Sequence, residues 1–247
     1  MPHLVVVVPC FDEERRLDVE RFRGFRLEGV RLEFLFVNDG SRDGTLAVLN
    51  RLRASDPERF FVLDLEKNGG KAEAVRRGML QALERQPDFV AFWDADLATP
   101  LDELPSFLEI FAERPQTDMV FAARVRLQGR KISRRAQRHY FGRVGATLIS
   151  QTLGIAVYDT QCGAKMFRVT ETYPKLFAAP FLSRWLFDVE IIARAVELRG
   201  RDEAAAAIYE LPIREWHDVQ GSKVKSTDFL RALRDLRRIR RAYNAPR

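Results

Sequence analysis

Short runs of consecutive apolar residues alternate along this chain with longer stretches in which apolar positions recur every three or four residues. The runs at 4–8, 32–37, 60–65, 89–93 and 119–123 are rich in Val, Phe and Leu, the pattern of strands buried on both faces of a parallel sheet. Between them 14–25, 45–53, 71–84 and 104–113 carry helical periodicity. This alternation predicts an α/β fold, a mainly parallel sheet flanked by helices and joined by right-handed crossovers. After residue 124 a basic loop leads into a helix over about 137–153, a Gly-containing turn, a helix over about 182–199, a strand near 208–213 and a last helix over about 227–242. The chain therefore divides into 1–124, a nucleotide-type sheet, and 125–247, a second half on its edge, within one continuous domain.

At 247 residues, 46% apolar and 31% charged, the composition suits one large globular domain and excludes a disordered or collagen-like chain. Apolar runs such as 4–8 are far short of the roughly 18 residues of a membrane span, so no transmembrane helix is expected. The first residues lack the pattern of a secretion signal. Cys10 and Cys162 are too few for a disulfide framework, which points to a cytoplasmic protein.

The net charge of +6 is unevenly spread. Residues 124–143 hold eight Lys or Arg and no acid, and residues 223–247 hold nine against Asp228 and Asp235, so the rest of the chain is net acidic. Two basic segments on an acidic body suit local anionic partners, phosphates or a lipid surface; two solvated helix faces are the plainer alternative.

Polar chemistry sits where the predicted strands end. They run out into Pro9-Cys10-Phe11-Asp12-Glu13-Glu14, Asn38-Asp39-Gly40-Ser41, Asn68-Gly69-Gly70-Lys71 and Asp94-Ala95-Asp96, and in open α/β sheets ligands bind beyond the carboxyl ends of the strands. One such Asp is more often a helix cap; four ends sharing one edge point to a site. Asp94 and Asp96 can hold a hard divalent cation while leaving positions for substrate phosphates. The glycines before Lys71 open a helix whose free N–H groups favour an anion, although a plain tight turn fits as well.

The segments 5–14 (VVVVPCFDEE), 37–45 (VNDGSRDGT), 67–78 (KNGGKAEAVRRG) and 94–96 (DAD) resemble the family 2 inverting glycosyltransferases of GT-A fold. The segments 159–168 (DTQCGAKMFR), 184–191 (RWLFDVEI) and 215–224 (EWHDVQGSKV) resemble the dolichyl-phosphate β-glucosyltransferase branch. The resemblance implies a nucleotide-sugar donor, a UDP-sugar and specifically UDP-glucose, with Mg²⁺ or Mn²⁺ and a lipid-phosphate acceptor, polyprenyl or dolichyl phosphate. It assigns Pro9, Phe11, Glu13 and Asp39 to the nucleoside, Lys71 and Ala95 to donor binding, and Asp94 and Asp96 to the metal and the donor diphosphate. Arg124, Arg134 and Arg138 match its acceptor-phosphate region, and 125–247 becomes the acceptor-binding half. Mannose-transferring relatives carry Gln where this chain has Ala98, which disfavours GDP-mannose as donor. Relatives on lipid phosphates often have transmembrane segments and this chain shows none, leaving a soluble acceptor or a peripheral enzyme on the inner face of the membrane.

Inverting transfer is a single displacement, and an ionised phosphate acceptor needs little help from a base. The resemblance places Asp159 beside the reacting oxygen as a catalytic residue with Asp96, and Gly163 where backbone approaches the sugar. Asp188 and Glu190 are two apart on a helix and point differently, so at most one belongs to a site. Cys162 reads as a small buried hydrophobe. A metal-dependent phosphatase of the Asp-X-Asp-X-Thr type is a rival, but Thr99 stands one place too late. A basic nucleic-acid-binding module is another; the acidic strand ends argue against it, and no nucleic acid partner is expected. On the last helix Phe229, Ala232, Leu233, Leu236, Ile239 and Tyr243 share one face opposite Arg231, Arg234, Arg238 and Arg241. That face either lies on an anionic membrane surface or docks onto the protein itself.

Overall fold

The structure is a computed structural model describing residues 1–133, 136–217 and 226–243, with side chains described except at 136–143 and 226–230. In chain order the elements are β1 (His3–Cys10), α1 (Val19–Gly24), β2 (Arg31–Asp39), α2 (Thr45–Ser55), β3 (Phe60–Leu65), α3 (Lys71–Ala82), β4 (Phe89–Trp93), α4 (Leu104–Glu113), β5 (Met119–Ala123), β6 (Lys131–Ile132), α5 (Ala136–Leu153), β7 (Ala164–Arg168), α6 (Tyr173–Phe177), α7 (Phe187–Arg199), α8 (Arg201–Ala207), β8 (Ile208–Pro212), β9 (Glu215–Trp216) and α9 (Ser226–Ala242). They form two compact units, Met1–Leu97 with Gly163–Pro180, and Ala98–Cys162 with Phe181–Arg247. These do not follow the expected halves: residues 98–124 go with the second unit and 163–180 return to the first.

In the first unit the strands run β3-β2-β1-β4-β7. The first four are parallel, and β7 is antiparallel to β4. All five residues Val5–Val8 and Leu4 are fully buried, as a parallel sheet covered on both faces requires. Alternate residues of β2 serve opposite faces. Phe34 and Phe36 meet Phe22 of α1 edge-on, with ring centroids 5.4 and 5.1 Å apart. On the other face α3 lies so close that a Cβ at Gly78 would stand 2.7 Å from Val37 Cγ2. That approach sets the height of α3, and with it the position of Lys71 at its first residue.

The helix expected over 14–25 begins only at Val19, where the Asp18 carboxylate caps the Arg21 N–H at 3.0 Å. Residues before it are drawn into loop contacts instead: the Glu13 N–H donates to Thr45 Oγ1 at 2.8 Å and the Glu14 N–H to Asp43 Oδ2 at 3.2 Å. Strand β7 was not expected at all. Its second residue is Lys165, fully buried with Nζ 5.1 Å from the Phe92 ring centroid, so a charged residue interrupts the apolar pattern.

In the second unit β5 and β8 pair in parallel, as do the short β6 and β9. Helix α9 packs on α5 and α7. Leu236 and Ile239 are buried, Asp235 accepts from Ser183 Oγ at 2.8 Å, and Tyr243 Oη donates to Glu190 at 2.7 Å. Of the two fates open to its apolar face, the described part takes the internal one; Phe229 has no described side chain.

Candidate active site

Because β1 to β4 are parallel, their carboxyl ends share one edge of the first unit. There lies a cavity of ≈ 370 Å³ lined by Pro9, Cys10, Phe11, Glu13, Asp39, Asn68, Gly70, Lys71, Ala74, Asp94, Ala95 and Asp96. All eight residues that the sequence reading gave to the donor are among them. Cys10, Asn68, Gly70 and Ala74 are additions. Burial pushes the Cys10 thiol well up, and Glu13 reinforces this, so the sulfur lines the wall as a neutral group.

The loops after β1 and β2 brace each other. Asp12 sits in the left-handed region at φ 54°, and its Oδ1 accepts from the Arg42 N–H at 2.8 Å while the Gly44 N–H donates to Glu14 at 3.1 Å. The turn before α3 meets an anion, but that anion belongs to the protein. The Asp39 carboxylate accepts from the Gly69 and Gly70 N–H groups, both at 2.8 Å, and from Asn68 Nδ2 at 3.0 Å. Asp39 is therefore buried as a hydrogen-bonded hub that fixes the Asn-Gly-Gly turn beneath Lys71.

At the tip of β4, Lys71 Nζ lies 2.5 Å from Asp94 Oδ1, and Arg16 lies 3.7 Å from Asp96 and 3.5 Å from Glu13. Burial raises the Glu13 pKa above its ordinary value; Arg16 opposes this, and Asp96, Asp43 and Asp94 add to it. Its Oε2 is buried with no hydrogen bond. The Gly163 carbonyl accepts from the Asp94 N–H at 2.9 Å. A Cβ on Gly163 would stand 1.9 Å from Asp94 Oδ2, so glycine here makes room for a carboxylate of the protein.

These groups fit a divalent cation shared with a phosphorylated ligand. Two carboxylates, already matched by a lysine and an arginine and crowding a third, are hard oxygen donors with cationic partners in reach. Among the described residues no group of three or more His, Cys, Asp or Glu side chains is arranged to hold a metal by itself, so further ligands would have to come from the bound molecule.

The second unit carries its own buried polar centre. Asp159 takes a two-pronged contact from Arg124, Nε to Oδ2 at 2.6 Å and Nη2 to Oδ1 at 2.8 Å, and accepts from the Arg124 N–H at 3.1 Å. The Arg124 guanidinium lies over the Trp216 ring at 5.2 Å. Glu210 of β8 accepts from the backbone N–H groups of Tyr158 and Asp159, both at 2.7 Å. Gln161 connects to Asp188 at 3.4 Å, whereas Glu190 is engaged by Arg194 and the Leu182 N–H, both at 2.7 Å.

Arg124, expected at the acceptor phosphate, and Asp159, expected beside the reacting oxygen, thus hold each other. Arg134 and the side chain of Arg138 lie outside the described residues. Glu210 escaped the sequence reading; its only signal is one acid within the strand sequence IYELP.

Residues 5–171 match the Glycosyl transferase family 2 pattern. A dolichyl-phosphate β-glucosyltransferase of Trichomonas vaginalis is 30% identical over 96% of this chain and 72% of its own length. Enzymes of the same description from Drosophila melanogaster (33%, 90% and 69%) and Homo sapiens (30%, 97% and 75%) are similar to comparable extents. Among solved structures, glucosyl-3-phosphoglycerate synthase of Mycobacterium tuberculosis, in complex with Mn²⁺, UDP-glucose and phosphoglyceric acid, superposes with a TM-score of 0.67. It covers 100% of this chain and 81% of that one at 17% identity, a likeness of fold: the mainly parallel GT-A arrangement.

Proposed function

The chain belongs to glycosyl transferase family 2, and we propose that it moves glucose from UDP-glucose to a polyprenyl phosphate of the dolichyl class, with inversion at the anomeric carbon. The observation that carries this reading is the gathering of the strand-end residues around one cavity of ≈ 370 Å³. Pro9, Phe11, Glu13 and Asp39 form its nucleoside side. Lys71, Asp94, Ala95 and Asp96 form its diphosphate side. The glucose and lipid-phosphate specificities rest on the relatives' described activity.

Asp94 and Asp96 would hold Mg²⁺ or Mn²⁺, which when bound supplies Lewis-acid stabilisation of the leaving diphosphate. Lys71, released from Asp94, turns its ammonium to the same diphosphate. A phosphate oxygen of the acceptor attacks the anomeric carbon, the bond to the diphosphate oxygen breaks, and UDP departs with the electron pair. The acceptor is ionised at neutral pH, so no side chain need remove a proton, and orientation dominates the rate. Arg124, Arg134 and Arg138 bind the acceptor phosphate. Asp159 orients Arg124 through its two-pronged contact. No helix among the described residues is long and apolar enough to cross a membrane.

The test is transfer of labelled sugar to a polyprenyl phosphate with Mn²⁺, comparing UDP-glucose with GDP-mannose and the lipid with phosphoglyceric acid. A β-linked glucosyl lipid from UDP-glucose is expected. Turnover confined to GDP-mannose or to the soluble acceptor would overturn the assignment.

A further inference from the structure

With the apolar side of α9 docked inward, its other side is left to solvent. Arg231, Arg234, Arg237, Arg238, Arg240 and Arg241 are all exposed. At the helical repeat five of them, all but Arg240, fall within an arc of roughly 120° opposite Leu236 and Ile239, along roughly 15 Å of helix. The only acid among 231–241 is Asp235, whose contacts with Arg234 and Arg238 are long, 3.7 and 4.0 Å. The row is cationic, straight and held on a packed helix.

A second observation says what it meets. The Ser183 hydroxyl that binds Asp235 also accepts from the Trp185 N–H at 3.2 Å. This brings the exposed Arg184 and Trp185, the latter 41% exposed, beside the middle of α9. An exposed indole next to a row of arginines is the composition of a surface that meets lipid headgroups, where an aromatic ring with an apolar body and one N–H settles. Nucleic-acid phosphates would account for the arginines but not for the indole.

We propose that the outward arginine face of α9, with Trp185 beside it, is the surface by which this protein lies on an anionic bilayer; the inference rests on the lipid-phosphate reading above. The face is the opposite of the one that helical periodicity alone would choose. Arginines rather than buried apolar residues then supply the attraction, and the binding is electrostatic, reversible and salt-sensitive.

The test is co-sedimentation of the full chain with vesicles of mixed phosphatidylcholine and phosphatidylserine, against vesicles of phosphatidylcholine alone, without donor or acceptor. Binding to the mixed vesicles only, lost at high salt, is expected. Each basic residue near an anionic leaflet changes partitioning about fivefold, so the triple variant Arg234→Gln, Arg237→Gln, Arg241→Gln lowers it about 100-fold. Trp185→Ala lowers it further while leaving the melting temperature close to that of the parent. Equal binding to both vesicle types, unchanged partitioning of the triple variant, or tighter salt-matched binding to duplex DNA than to the mixed vesicles would overturn the proposal. Vesicle binding is read without turnover, so its failure is distinct from failure of the glucosyl-transfer reading, which the detergent-solubilised acceptor tests.

Discussion

Replacing Gly163 by alanine probes the donor site through a single methyl group. Gly163 has no positive φ, so the backbone accepts alanine, and the effect is contact alone. The added Cβ would lie 1.9 Å from Asp94 Oδ2 and 2.8 Å from Oδ1. Carbon and oxygen do not approach below about 3 Å, so the Asp94 carboxylate must retreat by more than 1 Å or rotate away. Either movement breaks its 2.5 Å contact with Lys71 and parts it from Asp96. Overpacking of this kind costs about 1–3 kcal/mol of stability, and a 1 Å misplacement in a positioned site costs on the order of 100-fold in rate. Calorimetry of UDP binding with Mn²⁺, steady-state transfer and thermal melting measure the three quantities. Gly145→Ala is the control: nothing lies within 4 Å of its Cβ, and removing a helical glycine stabilises by about 0.5–1 kcal/mol. Wild-type affinity and turnover in Gly163→Ala, with Gly145→Ala behaving as expected, would refute the claim that glycine at 163 places Asp94.

Asp96→Asn should abolish Mn²⁺-dependent UDP binding and leave far-ultraviolet circular dichroism unchanged. Glu13→Gln should raise the melting temperature at neutral pH, since the folded state disfavours this half-buried ionised carboxylate. The penalty is absent below the ordinary glutamate pKa, where both folded and unfolded forms are protonated, and grows as pH rises through the raised folded value; the variant's gain must fade as pH falls through that window. Glu210→Gln should lower kcat about tenfold or more with nearly normal UDP affinity, because the Tyr158 and Asp159 N–H groups face different carboxylate oxygens, and an amide would set a donor NH2 against one of them. Arg124→Leu alone should cost about 3–5 kcal/mol of stability by stranding the buried Asp159, whereas Arg124→Leu with Asp159→Leu should recover most of that and still show a raised KM for the lipid phosphate; recovery of KM as well would remove Arg124 from the acceptor.

The cavity at the strand ends was legible because its residues are local in sequence. Each motif follows a short apolar run, and parallel pairing alone carries the four ends to one edge. What each residue does there was less legible. Asp39 reads as a ligand-facing acid, but its partners at 68–70 lie about thirty positions away, and no spacing rule links an acid to a turn across a helix. Lys165 hid β7, since a charged residue lowers the apolar signal of a strand even where the fold buries it. In α9 periodicity found both faces, yet it is blind to which one the protein covers. Arg124 and Asp159 were each visible in their motifs, thirty-five residues apart, while their pairing is a product of folding.

The resting charges of the donor site explain why cation and diphosphate should bind together. Asp94 and Asp96 are matched by Lys71 and Arg16, so a metal arriving alone would have to displace cations that already serve those carboxylates. A diphosphate arriving alone would gain Lys71 only by leaving Asp94 unmatched beside Asp96 and the crowded Glu13. Were both to bind, Asp94 would exchange an ammonium for a divalent cation and Lys71 would exchange a carboxylate for a phosphate, so that each group would keep an opposite charge. Each ligand thereby removes the cost that the other would meet. The favourable coupling is reciprocal: Mn²⁺ must tighten UDP by the same factor by which UDP tightens Mn²⁺. The Lys71–Asp94 contact would be the source of that coupling, so Lys71→Ala should weaken UDP while making the site more receptive to Mn²⁺ alone.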